Sequence, residues 1–382
     1  MFFRLVLILY LTLNAYLIWR MFRALAGTGY RKWLVLAVYL LFSYCAFLQH
    51  RVERQEPTFF TEAVIRLGSL YVGVLLYLVF YTLLADVVRL IDRLVPILPK
   101  ALRNDRRRAG RAAFVIVIGL TLVTVAGGFL HARHVRVRTM DITIDKSGHG
   151  REGISAVFLA DIHVGPFLST SRLERIVERI NALDPDVVLM AGDSFDEGLP
   201  PAELERLPFV LSKIRARDGV FASAGNHEFF AGIRNSIAIY ERAGISFLMD
   251  RAVLVADSFY VAGRNTRTYI GPDRRRVPIA AIFQDADPAY PWILLEHVPA
   301  HLDEAEAAGV DLQLSGHTHA GGVFPVTLIN GLLYDVGAGY GRRGKTQIYV
   351  TSGVGVWAPP IRVGTTGEIV RMNIKFRPAG LP

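Results

Sequence analysis

Five short polar segments each follow a short apolar run. They are Asp161-Ile162-His163, Gly192-Asp193, Gly225-Asn226-His227-Glu228, His297 in Leu294-Leu295-Glu296-His297-Val298-Pro299, and Gly316-His317-Thr318-His319. Together they hold five of the ten histidines of this 382-residue chain, with Asp161, Asp193 and Asn226. In extended backbone, the two-residue spacing of Asp161 and His163, and of His317 and His319, would put each pair of side chains on one side. Imidazole, carboxylate and amide donors without thiolate suit Mn, Fe or Zn ions. The candidate ligands Asp161, His163, Asp193, Asn226, His297, His317 and His319 are too many for one ion. They suit two divalent ions about 3.5–4 Å apart that share one carboxylate, the arrangement used for two-metal phosphoester hydrolysis. Taken singly, Asp-x-His is most often a surface turn, and Gly-Asp after a strand is ordinary turn chemistry. The ordered set of five carries the reading. The only cysteine, Cys45, excludes an intramolecular disulfide framework and any thiolate metal cluster.

These residues need a scaffold that brings them to one edge. From Ile154 the chain alternates buried-strand and amphipathic-helix patterns. Ile154–Ala160, Asp186–Ala191, Val220–Ala224, Trp292–Leu295 and Leu312–Leu314 read as strands. Ser171 with Glu174 reads as a capping box before Leu173, Ile176, Val177, Ile180 and Leu183 at helical spacing. Pro201–Arg215, Gly232–Ala243 and the region around His301–Ala308 read as further helices, and a β-rich tail runs from Leu333 to Phe376. The expectation is an α/β domain over 141–382, a two-sheet β-sandwich flanked by helices. Its polar segments fall just past strand ends, where open α/β sheets bind ligands.

The first 140 residues read differently. Four apolar stretches, about 2–19, 33–50, 67–85 and 112–130, approach or reach the length of about 20 residues that a membrane span needs. The expectation is a multi-pass α-helical membrane module. A mean hydropathy of +0.33 and 52% hydrophobic residues agree with it. The formal net charge of +9 belongs to this module: residues 1–140 hold 19 Lys/Arg against 6 Asp/Glu, whereas the rest holds 24 against 28. A basic patch away from the functional domain argues against nucleic acid as a partner. The loop after the third stretch carries eight basic residues from Arg89 to Arg111, and the loop after the first carries Arg20, Arg23, Arg31 and Lys32. Lys/Arg near spans stay cytoplasmic. The expected location is therefore the cell membrane, with the C-terminal domain outside the cytoplasm.

The ordered segments resemble the calcineurin-like metallophosphoesterase superfamily over roughly Ile154–Phe376. The tail Gln347–Gly355 (QIYVTSGVG) followed by Pro360-Ile361-Arg362 is similar to the YkuE/YaeI-type branch of membrane-associated bacterial phosphodiesterases. That branch usually has an export signal or a short anchor, so four spans are a departure. The resemblance implies that Asp161, His163 and His319 hold a first metal with Asp193. It further implies that Asp193 bridges to a second metal completed by Asn226, His297 and His317. A hydroxide between the ions would attack phosphorus, and His227 would protonate the leaving oxygen or stabilise the phosphoryl charge. The implied activity is a membrane-tethered phosphohydrolase acting on a lipid-linked or envelope phosphodiester. Two alternatives stay open here: a pyrophosphatase for a nucleotide-diphospho-lipid, and a catalytically silent metal-binding sensor.

Other polar residues have blander readings. Asp196 and Glu228 read as supporting or capping groups, His301 as structural, and His50, His131, His134 and His149 as without function. Arg264, Arg267 and Arg274–Arg276 read as a solvated basic loop. Gly337–Gly344 lacks the strand and helix context of a phosphate-cradling loop.

Overall fold

The computed structural model describes residues 2–52, 55, 57–266 and 276–377. They form two compact units: residues 2–52, 58–130 and 358–361, and residues 55, 57, 131–266, 276–357 and 362–377.

The first unit contains α1 (Phe2–Ala24), α2 (Arg31–Val52), α3 (Phe59–Leu94), the short α4 (Lys100–Arg103) and α5 (Arg106–His131). Four of these are long and apolar enough to cross a membrane. α3 has 36 residues and outruns the expected 67–85 at both ends. At its start, the Thr61 N–H donates to Thr58 Oγ1 and the Thr58 N–H donates to Thr61 Oγ1, so both ends of the first turn are capped. At its end the chain turns extended at Val95, the residue before Pro96. The interior is small, centred on Leu17, Ala46, Tyr71 and Leu75. Gly68 lets α3 approach the Cys45 carbonyl of α2, where any Cβ would collide. A polar centre lies inside: Asn14 Oδ1 accepts from Tyr71 Oη at 2.5 Å, Tyr39 Oη at 2.8 Å and Ser43 Oγ at 3.1 Å.

The second unit runs β1 (Val135–Ile144), β2 (Gly153–Leu159), α6 (Thr170–Asn181), β3 (Val187–Ala191), α7 (Pro201–Leu211), β4 (Val220–Ser223), α8 (Asn226–Phe230), α9 (Ile233–Arg242), β5 (Ser246–Leu248), β6 (Arg251–Val255), β7 (Phe259–Gly263), α10 (Ile279–Ile282), β8 (Trp292–Leu295), α11 (Leu302–Ala308), β9 (Leu312–Ser315), α12 (Val326–Leu333), β10 (Gly339–Arg343), β11 (Thr346–Val350) and β12 (Gly367–Phe376). Two six-stranded mixed sheets result, ordered β1-β12-β2-β3-β4-β5 and β10-β11-β9-β8-β7-β6. Strand side chains alternate faces, and both faces are covered. Phe158, Leu189 and Phe221 meet Val261, Ile293, Leu312 and Tyr349 between the sheets. Val157, Leu159, Val188 and Met190 face the other way, against Leu173, Ile176, Leu207 and Ile239 of α6, α7 and α9. Ala262 and Leu294 meet Ile282 of α10 and Ala305 of α11 on the far side of the second sheet. The expected sandwich flanked by helices is the observed fold.

Local details differ from the sequence reading. The main run of the second unit starts at His131, ahead of the expected 141, because β1 pairs in parallel with β12 from Val135↔Gly367 to Ile144↔Phe376. A partner more than 200 residues away leaves no local signal. The capping box on Ser171 is not formed. Ser169 occupies the N-cap without a side-chain bond, and the Thr170 N–H donates instead to Glu203 Oε2. Glu174 is drawn to Arg206 and Lys213. Arg264 is not a solvated loop charge: it is buried, with Nη1 3.4 Å from Glu296 and Nη2 2.5 Å from Glu304. Arg276 also reaches Glu296, while Arg267, Arg274 and Arg275 lie outside the described residues. The tail read as β-rich opens with the end of the apolar helix α12.

Candidate active site

The ends of β2, β3, β4, β8 and β9 lead directly into Asp161, Asp193, Asn226, His297 and His317. Parallel strands bring these ends to one edge, so five segments spread over 159 residues converge. Three groups form, each with ligand atoms within 4.8 Å of one another: Asp161, His163 and His319; His163, Asp193 and His227; and Asp193, His297 and His317. Asn226 joins the last group, with Oδ1 3.1 Å from His317 Nδ1. All seven candidate ligands and His227 are therefore in one place.

The backbone delivers them in an unforeseen way. Asp161, His163, Asp193, His317 and His319 all have positive φ, between 49° and 69°. The segments are thus not the extended pairs the two-residue spacing implied. Left-handed backbone costs a non-glycine residue on the order of 1–3 kcal/mol and persists where the surroundings impose it, typically at functional sites. Here the imposing bonds are visible. Both Asp161 carboxylate oxygens accept from the His317 N–H, at 2.9 and 3.0 Å, tying the β2 turn to the β9 turn. Glu228 accepts from the N–H groups of Asp193, Ser194 and Gly225 at 2.9, 2.9 and 2.7 Å, and from Tyr240 Oη at 3.0 Å. It clamps the β3 turn to the β4 turn. Gly192 and Gly316 are required by close approach: a Cβ on Gly192 would strike the Gly225 backbone, and one on Gly316 would strike the Asp161 carboxylate.

Charge is dense and buried. Burial raises the Asp161 carboxyl to about 6, against the pull of His297 and His163. Burial acts the same way on Asp193, but His297, His227 and His163 outweigh it and hold that carboxyl far below the usual range. For His297 burial works downward, yet Asp193 and Asp161 raise it to about 9. For His227 burial also works downward, and the Asp196 and Glu197 carboxylates raise it to about 11. Burial and the His297 charge push His317 down to about 4. Burial, His163 and Arg362 keep His319 well below the ordinary imidazole value. The carboxylates that raise His297 face the nitrogen a divalent cation would take, so binding there would displace a proton.

The residues fit a metal pair on three observations. First, His297 Nδ1 donates to the Ala191 carbonyl at 2.7 Å, which turns the buried Nε2 toward Asp193 Oδ2 at 3.0 Å. Second, His163 Nδ1 bonds Asp196 Oδ1 at 2.7 Å, so its Nε2 is the free lone pair. Partners of this kind orient ligand histidines. Third, His163 Nε2 and His319 Nε2 lie 3.1 Å apart. Two ligand nitrogens about 2.1 Å from one ion, at right angles, stand about 3 Å apart.

Sequence reasoning underrated Asp196. It faces His163 Nδ1 at 2.7 Å and His227 Nδ1 at 3.0 Å, and so supports two site histidines at once. Its position three residues after Asp193 was the available signal. Arg362, quoted only as part of a tail pattern, is fully buried and donates to the Ser352 and Gly355 carbonyls at 2.6 Å. It holds the loop that lies over Asp161 and His319.

Comparison with known proteins agrees with this geometry. Residues 154–321 match the family described as calcineurin-like phosphoesterase. A Campylobacter jejuni protein named an uncharacterized metallophosphoesterase is 29% identical over 317 residues, 78% of each chain. A Bos taurus transmembrane protein with metallophosphoesterase domain is 27% identical over 73% of this chain, which spans 65% of it. The Bacillus subtilis metallophosphoesterase YkuE is 26% identical, over 66% of this chain and 92% of its own length.

Proposed function

Residues 154–321 form a calcineurin-like phosphoesterase domain in a chain with four apolar helices, and from this premise we propose a membrane-tethered phosphohydrolase that uses two divalent ions to cleave a lipid-linked or envelope phosphodiester. One observation carries the reading: three ligand groups within 4.8 Å, chained through His163 and Asp193. Asp161, His163, Asp193 and His319 would hold one ion, and Asp193, Asn226, His297 and His317 the other. When bound, the ions supply Lewis-acid charge for the phosphoryl oxygens and lower the pKa of the attacking water.

The chain's own residues do the rest. Asp193 turns one oxygen to His297 and the other to the His227 N–H at 2.8 Å. This fixes His227 beside the ligands without spending its ring. Asp196 and Glu197, 3.0 and 3.4 Å from Nδ1, keep that ring protonated, the state needed to donate a proton to a leaving oxygen. Trp357 packs edge-on against the ring at 5.4 Å and shields one side from water. The basic loop from Arg89 to Arg111 supports an extracytoplasmic domain.

The test is hydrolysis of bis-p-nitrophenyl phosphate by the full chain with Mn, Fe or Zn ions. Metal-dependent turnover is expected. No turnover with any of the three would sink the reading in favour of a silent metal-binding protein.

A further inference from the structure

We propose that α12 is an interfacial docking helix: Leu328, Ile329, Leu332 and Leu333 enter the surface of an anionic bilayer and hold the His317–His319 loop against it. α12 has eight residues, Val326–Leu333, and none is charged. Leu328 is 63% exposed, Ile329 50%, Leu332 87% and Leu333 71%. Spaced three and four apart, they share one face. Leu332 and Leu333 are the most exposed large apolar residues among the described residues of the second unit. A contiguous apolar face of this kind marks an interaction surface.

The opposite side is fastened to the active site. Asn330, buried, donates through Nδ2 to the Gly337 carbonyl at 2.9 Å, and the same carbonyl accepts from Thr318 Oγ1 at 2.7 Å. Thr318 stands between the two candidate ligands His317 and His319. A surface that receives α12 is thereby set at a fixed distance from the candidate metal site.

Three observations favour lipid over a protein partner. The chain carries its own membrane helices. α5 ends at His131 and β1 starts at Val135, so the connection spans at most about 14 Å and keeps the second unit at high effective concentration near a bilayer. The flanking charge is also right. The hairpin of β10 and β11 exposes Arg342 and Lys345. Two acids lie at the hairpin, Asp335 and Glu306, and both are held by Arg343, at 2.8 and 3.2 Å. An apolar helix face beside unmatched basic residues is the pattern of interfacial binding to anionic lipid.

The inference concerns docking and goes beyond the proposed hydrolysis. Its test needs no turnover, so either idea can fail without the other. The full chain carrying Cys45→Ser and Leu332→Cys is spin-labelled and placed in nanodiscs of phosphatidylcholine and phosphatidylglycerol. Collisions with oxygen and with a water-soluble nickel chelate are compared by electron paramagnetic resonance. The expected result is oxygen-dominated collision at 332 and water-like collision for Arg175→Cys on exposed α6. Water-like collision at 332, or dipolar broadening that shows a second copy against the helix, overturns the proposal. A second label, Ile329→Cys, should move from lipid to water when Leu328 and Leu332 become Asp, with turnover of bis-p-nitrophenyl phosphate in detergent unchanged. A label that stays in lipid despite both charges overturns it as well.

Discussion

The two units place the same kinds of residue in opposite relation to their surfaces. In the helical unit, large apolar side chains point outward, as with Ile8, Leu41, Val115 and Val123 at 59–72% exposure. Its interior also pairs hydroxyls with buried amides, Tyr71, Tyr39 and Ser43 with Asn14 and Ser69 with Gln49. In the α/β unit, apolar side chains fill both faces of both sheets, and the buried imidazoles and carboxylates of the site gather where the strands end. Both patterns follow from one rule: the exterior matches its solvent, and buried polar groups must be satisfied by partners. The Asn14 centre satisfies itself with hydroxyl donors. The strand-end cluster differs in charge: its imidazoles lean on carboxylates, His297 Nε2 on Asp193 at 3.0 Å and His227 Nδ1 on Asp196 at 3.0 Å. A neutral polar centre closed on itself reads as structural. A buried cluster of imidazoles and carboxylates reads as a site that a cation can enter.

That contrast can be broken by substitution. The largest effect is expected from Asp193→Asn, which weakens the only carboxylate assigned to both ions. Metal content of the purified full chain should fall from two to none, with turnover at background. Two tightly held ions and full activity would refute the shared role. His227→Ala should lower kcat by roughly 10²–10⁴-fold, the usual contribution of a positioned acid. Its metal content should stay unchanged, and a substrate with a good leaving group should be less affected. Metal loss would make His227 a ligand. Asp196→Asn should weaken metal binding by about 10–100-fold, as for a group that orients ligand histidines, read by titration with Mn ions.

Proton linkage sharpens the same comparison. His297 is raised to about 9, so below that pH a metal must displace its proton. Affinity should therefore rise about tenfold per pH unit from 7 to 9, then level off. Below about 6 the slope should steepen, because Asp161 also protonates. Calorimetry in buffers of different ionisation enthalpy measures the released protons. The sign reverses for the stability of the metal-free fold. The His297 contribution is full below the ordinary imidazole value of about 6.5 and is lost as pH rises through about 9. The smallest effect on activity is expected from Asn14→Leu. It should leave turnover within about twofold while lowering the stability of the helical unit by about 1–2 kcal/mol, as read by thermal unfolding in detergent.

Much of this was legible in the sequence because its signals are local. Strand-end turns, apolar runs and loop charges are all short-range, and they located the seven candidate ligands, the four long helices and the sandwich. What escaped depends on distant partners. Val135–Ile144 becomes a strand only because Gly367–Phe376 lies beside it. Arg264 is buried only because Glu296 and Glu304 meet it. The left-handed backbone of Asp161 and Asp193 comes from bonds to neighbouring turns, which no two-residue spacing can reveal. α12 went unread because its eight residues, none of them charged, lack the alternation of apolar and polar positions that marks an amphipathic helix.

The proposed sharing of Asp193 between two ions is open to direct measurement by the electron paramagnetic resonance spectrum of the full chain saturated with Mn(II). Two ions about 3.5–4 Å apart on a shared carboxylate should give the spectrum of an exchange-coupled pair. The isolated six-line signal of uncoupled Mn(II) at saturation would contradict it.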